Sequence, residues 1–120
     1  MRRRRWADDD AYPISALAPR RTAAHVLKSV LAGQSFSPIG ADAFDDPRDR
    51  ALANRLVTVT LRRHGHLNII ISELLSKGVP PRSGLFEPLL RMGLTELLFM
   101  EGQADHSALF LAVEILRTDR

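Results

Sequence analysis

One stretch limits the fold more than any other. The sequence EPLLRMGLTELLFM, Glu87 to Met100, is apolar on nearly every side. Wound at 100° per residue it leaves no broad polar face, and a helix of that kind sits at the centre of a bundle. The pattern predicts a helix over 85–101, with Pro88 tolerated because it falls in the first turn. Gly93, in the middle, costs about 1 kcal/mol against alanine, which predicts close approach of a neighbouring helix there.

The remaining segments supply helices to surround it. Pro19 suits a first helical turn, and a helix from Pro19 to about Ala32 places Ala24, Leu27, Val30 and Leu31 on one side. Arg21, His25 and Lys28 fall on the other, at spacing i, i+4, i+7. Gly33 ends this helix. Residues 34–46, with Pro38, Gly40 and three acids, read as a loop with room for one helical turn. Asp46 is an N-cap and Pro47 a first helical residue. In the helix that follows, Leu52, Ala53, Leu56, Val57, Val59 and Leu61 cover more than half the circumference, leaving Asn54, Arg55, Thr58 and Arg62 as one polar stripe. Gly65 is expected to stop it. A third helix is expected over 67–77, with Leu67, Ile70, Ile71, Leu74 and Leu75 inward, before the break KGVPPRSG. Asp105 caps a fifth, to about Arg117. No period of two is sustained, so the fold class is an all-α helical bundle.

Length and composition exclude much. The 120 residues suffice for one small domain. Apolar residues make up 45% and charged residues 26%, an ordinary globular balance. The net charge is +3, with 15 arginines against 2 lysines; such an excess permits a polyanionic partner without requiring one. Without cysteine there is no disulfide, thiolate metal site or thiol nucleophile. No apolar run reaches the ~18 residues of a membrane span, and MRRRRWADDDAYP lacks the apolar stretch of a secretory signal. A cytoplasmic protein is expected. Residues 1–17 read as a flexible charged tail and 18–120 as the domain. In the tail, Arg2 to Arg5 could form an arm for phosphates, or be cancelled by Asp8 to Asp10.

Catalytic patterns are missing. His64 and His66 flank a glycine but lack a third metal ligand; one exposed and one capping imidazole is the plainer reading. Glu87 and Arg91, at i, i+4, read as a helix-surface pair. His106, beside the cap Asp105, reads as capping or packing. No phosphate loop, nucleophile elbow or inward pair of carboxylates is present. Binding, rather than catalysis, is what remains.

DRALANRLVTVTLRRHGHLNIII, followed by LLRMGLTELLFMEGQADHSALFLAVEIL, resembles the NusB-like RNA-binding domain. The likeness is to the form at the N-terminus of ribosomal RNA cytosine-C5 methyltransferases of the RsmB type (Sun or Fmu). Its signatures are Asp49-Arg50-Ala51-Leu52, Leu61-Arg62-Arg63, Leu90-Arg91-Met92-Gly93-Leu94 with Leu97-Leu98, and Asp105-His106-Ser107-Ala108. With RRTAAHVLKSVL they cover most of Arg20 to Leu116. The resemblance implies a NusB-like bundle of about five to seven helices. It implies ribosomal RNA as partner, and a catalytic domain of the same polypeptide that uses S-adenosylmethionine. This chain lacks that domain's cysteine and glycine-rich cofactor loop, so no cofactor is assigned to it. The family domain usually continues into a further helix of the type FVNAVLRR, before which this chain stops at Arg120.

Three functions compete. The first is an RNA-binding module that positions ribosomal RNA for the attached methyltransferase. Its candidate residues are Arg20, Arg21 and Lys28 on the first helix and Arg55, Arg62 and Arg63 on the second, because the planar guanidinium pairs bidentately with phosphate. For each, the alternative is a solvated charge or a salt bridge to the acids of 42–49. Arg50, near the helix start and beside apolar Val57 and Leu61, reads as a pairing or capping residue, and Arg48 sits in the first turn beside the acidic loop. The second function is a standalone NusB-type antitermination factor. The third is a protein-interaction module, in which Phe110 and Leu111, apolar and beside Glu114, dock a catalytic domain or a second copy.

Overall fold

The computed structural model describes residues 14–100, with side chains from Leu17 onward. Within them the chain forms four α-helices and a short 3₁₀ turn, with no strand. This agrees with the all-α class. The count falls below five to seven, and the expected fifth helix, with Phe110 and Leu111, lies outside the described residues.

Helix α1, Ile14–Leu31, begins earlier than expected, so Pro19 stands in its second turn rather than its first. A proline there removes one backbone bond of the helix, yet its ring is buried. The helix ends as expected. Gly33 takes φ 108°, its N–H bonds to Val30 O at 3.0 Å, and that of Gln34 bonds to Ser29 O at 3.0 Å. This is a Schellman closure, which needs a left-handed residue.

The loop after α1 contains the 3₁₀ turn Ala41–Ala43 and is held by Asn54. The Asn54 Oδ1 accepts from Ile39 N at 2.8 Å, and its Nδ2 donates to Ile39 O at 3.2 Å. Helix α2, Pro47–Arg62, starts where the cap chemistry places it: Asp46 Oδ1 accepts from Arg48 N at 2.9 Å. Its buried face is Ala53, Leu56, Val57 and Thr60, while Leu52, Val59 and Leu61 are half-buried.

Helix α3, His64–Leu74, starts three residues before expectation. Gly65 therefore lies in its first turn and does not stop α2, which ends at Arg62. Leu67 and Ile71 are buried, but Leu74, expected inward, is 58% exposed. Helix α4, Phe86–Phe99, carries Pro88 in its first turn as expected. It packs against α1, α2 and α3, and the core is built from Leu17, Ala24, Leu27, Leu56, Leu89 and Met92 with their neighbours.

The apolar circumference expected of α4 is corrected here. Arg91, Thr95 and Glu96 are buried, while Leu97 and Leu98 are exposed. Polar groups go inside because each finds a partner, which removes most of the cost of burial. Nor does a neighbouring helix press on Gly93: a Cβ added there meets nothing within 4 Å.

Candidate nucleic-acid interface

The six candidate cations do not share one environment. Arg20 is inside. Its Nε donates to Glu96 Oε2 at 3.1 Å and its Nη2 to Glu96 Oε1 at 2.7 Å, with side chains 10% and 2% exposed. This bidentate pair joins α1 to α4, so Arg20 is an internal tie and not a surface charge. The reason is the partner on α4, which turned Arg20 toward the core.

Arg21 is half-buried and Lys28 exposed on α1. Arg55 and Arg62 are exposed on the polar stripe of α2, about 10 Å apart along its axis by helical rise. Among the described residues Lys28, Arg55 and Arg62 have no ion pair. Asn54, on the same stripe, is occupied with Ile39.

Arg63 follows the last turn of α2, and its guanidinium carbon lies 4.4 Å from the centre of the Phe99 ring. A cation over an aromatic face is worth about 0.5–1 kcal/mol where exposed. The His66 ring stands 5.8 Å from the same phenyl, tilted by 33°. Arg63, His66 and Phe99 thus gather where the junction of α2 and α3 meets the end of α4, two planar groups against one aromatic ring. The sequence reading missed His66 and Phe99, because Phe99 counted as one more apolar residue of α4.

The Glu87–Arg91 pair is also more than a surface pair. Arg91 is 6% exposed. Its Nε donates to Glu87 Oε2 at 3.0 Å and its Nη2 to Asn68 Oδ1 at 2.8 Å, and its Nη1 lies 3.4 Å from His64 Nδ1. Arginine offers donors only, so this contact is a hydrogen bond in the tautomer that presents a lone pair at His64 Nδ1. His64 thereby serves the α3–α4 contact. Among the described residues no three His, Asp or Glu converge as a metal site.

At the start of α2, Arg48 closes on Asp46, Nη2 to Oδ2, at 3.1 Å. The hydrogen bond from the Arg48 side chain, followed by that from its backbone N–H, holds the Asp46 carboxyl below its ordinary range. The same contact raises Arg48. Arg48 is thus occupied as a pairing residue. A last feature, a groove of about 620 Å³, lies between Lys28 and Leu31 of α1 and the connection from α3 to α4.

The NusB family model matches residues 17–120. The chain is similar to a ribosomal RNA small subunit methyltransferase B of Xanthomonas campestris pv. campestris, with 31% identity over 107 residues. That match covers 86% of this chain and 24% of the relative, so the chain spans about a quarter of the length of the curated relative it matches. No solved structure matches. Among the described residues no helix is long and apolar enough to cross a membrane.

Proposed function

Because the chain belongs to the NusB family, we propose that it is a non-catalytic RNA-binding module. In this reading it holds ribosomal RNA for a cytosine-C5 methyltransferase domain of the same polypeptide, where S-adenosylmethionine is the methyl donor. The observation that supports it best is the set of exposed cations Lys28, Arg55 and Arg62, none of which has an acidic partner among the described residues. Arg21 and Arg63, both half-buried, remain candidates beside that set, while Arg20 drops out. Phosphate contacts of this kind position an RNA without reading its sequence.

The experiment is a titration of the chain with a ribosomal RNA hairpin across a salt series. Affinity should fall steeply with salt, because each phosphate neutralised releases counterions. Reversing both charges of the α2 stripe, Arg55→Glu with Arg62→Glu, should cost about tenfold or more in affinity and flatten the salt dependence. An unchanged affinity and slope would remove α2 from the interface.

One observation favours a second reading, a protein-interaction module. Leu97 and Leu98 of α4 and Ile69 and Leu74 of α3 are exposed, and large apolar side chains in water mark an interaction site where they form one patch. If they dock the catalytic domain, Leu98→Ser with Ile69→Ser weakens that association and leaves RNA affinity unchanged. Loss of RNA affinity together with docking would refute this division.

A further inference from the structure

The groove at the C-terminal end of α1 has the makings of a ligand site. Its volume, about 620 Å³, falls in the ~300–1,000 Å³ range of pockets that take small organic groups. Leu31, Val79, Pro80, Pro81 and Pro88 give it an apolar lining. Lys28 and Arg82 line it as cations, and both are exposed. Glu87 lines it as well, but its Oε2 already accepts from Arg91 Nε at 3.0 Å. Arg91 thereby offsets the carboxylate, while Lys28 and Arg82 have no acidic partner among the described residues. The groove therefore complements a ligand with a flat apolar body and negative charge.

Its wall is stiff. Pro80 and Pro81 have φ fixed by their rings. Arg82 is held at φ 57°, between Gly78 at 78° and Gly84 at 63°. A left-handed arginine is uncommon, and here it belongs to the turn that lines the groove. A preformed wall reduces the ordering cost of binding.

We infer that this groove is a subsite for one unpaired nucleotide of RNA. The base lies against the proline and Leu31 lining, and Lys28 and Arg82 hold the flanking phosphates. The inference rests on the RNA-binding reading and deepens it, adding Arg82 and the 79–88 segment to the interface. Lys28 shares a face of α1 with Arg21 and His25, about 10 Å along the helix from Arg21 by rise, so a strand following α1 arrives at the groove. Ser83 and the Arg91-bound Glu87 are the polar side chains beside the two cations, so selection is by shape more than by base identity. A paired base stays stacked in its helix and does not enter, so the site favours single strands over duplex.

Fluorescence anisotropy tests this with the full chain, a short labelled single-stranded RNA and the blunt duplex of the same sequence. Lys28→Glu with Arg82→Glu should lower single-strand affinity about tenfold and reduce the salt slope by about 1.4, from two contacts at about 0.7 each. Duplex affinity should move much less. Independently of any variant, a thiouridine-substituted strand should photocross-link to a peptide within 79–88 of the unaltered chain. If the α2 reversals abolish RNA binding while the groove variant keeps affinity and slope, the subsite is overturned and the RNA-binding reading stands. If the unaltered chain binds neither RNA, both fall. Binding of a polyglutamate peptide through Lys28 and Arg82, with no RNA bound, would reassign the groove to an acidic protein segment and likewise overturn the inference.

Discussion

Replacing Glu96 with leucine removes the acid from an ion pair that the fold encloses. The pair is bidentate, at 2.7 and 3.1 Å, between side chains 10% and 2% exposed. Its partners stand 76 residues apart in sequence, so the contact ties two elements that are distant along the chain. Removing one member takes from the enclosed Arg20 guanidinium its bidentate carboxylate, and breaking such a pair costs about 3–5 kcal/mol. Arg20 keeps some contact with water and makes a further interaction, which points to the lower end, about 3 kcal/mol. For a domain of this size that lowers Tm by about 12 °C or more. Replacing both members, Arg20→Met with Glu96→Leu, removes the charges together, and such exchanges are often neutral or stabilising. The double variant should therefore be more stable than Glu96→Leu alone.

Urea unfolding of the four proteins, followed by far-ultraviolet circular dichroism, measures the coupling directly. If Glu96→Leu does not fold, recovery of folding in the double variant carries the same information. A cost below about 1 kcal/mol for Glu96→Leu, or two single effects that simply add, would refute the enclosed pair.

Three other substitutions probe the fold. Thr60 Oγ1 is buried without a hydrogen-bond partner among the described residues, so Thr60→Val should raise the urea midpoint by the equivalent of about 1 kcal/mol; a drop would reveal a hidden partner. Asn54→Ala leaves the Ile39 N–H and C=O without their shared partner, which should cost about 1–3 kcal/mol and speed exchange of the Ile39 amide, the measurement that localises the effect. Asp46 has its folded pKa lowered, so its contribution is present above the ordinary carboxylate range, near pH ~4, and is lost as pH falls through the lowered value. The advantage of the parent over Asp46→Asn should thus exist at neutral pH and vanish in acid, as thermal melts across pH will report.

How much of this was legible in the sequence depended on the range of the interaction. Asp46-Pro47 and Gly33 marked helix ends correctly, because a cap needs nothing beyond its own turn. The stripe positions Arg55 and Arg62 were read correctly as exposed, since the helical period alone places them. Pro19 misled, because the same rule that allows proline in a first turn does not see the core into which its ring packs. Gly65 misled too: in an exposed first turn glycine weakens a helix without ending it. The largest error concerned α4. The helical period shows α4 as apolar on nearly every side and Glu87–Arg91 as a surface pair, and nothing local announces Asn68, His64 or Arg20 as partners of Arg91 and Glu96. Leu97 and Leu98, in the last turn of the helix, are the apolar residues of α4 that stand exposed.

These ties explain why so arginine-rich a chain can still form a tight bundle. Arginine offers five donors in a fixed plane, and both buried arginines use several of them. Arg91 reaches Glu87 on its own helix and Asn68 and His64 on α3. Arg20 spends two on Glu96. Thus α4 is bound to α3 through its first half and to α1 through its second, by polar contacts that lysine, a point charge with three donors, would not reproduce. Each buried arginine also takes one acid with it, Arg20 with Glu96 and Arg91 with Glu87. Two cations and two anions leave the balance together, so the net charge of +3 is carried entirely by the other residues. Burying arginine in this chain therefore does not deplete the positive potential available to an RNA phosphate; it sorts the arginines, and Arg55 and Arg62 remain on the side where a polyanion can reach them.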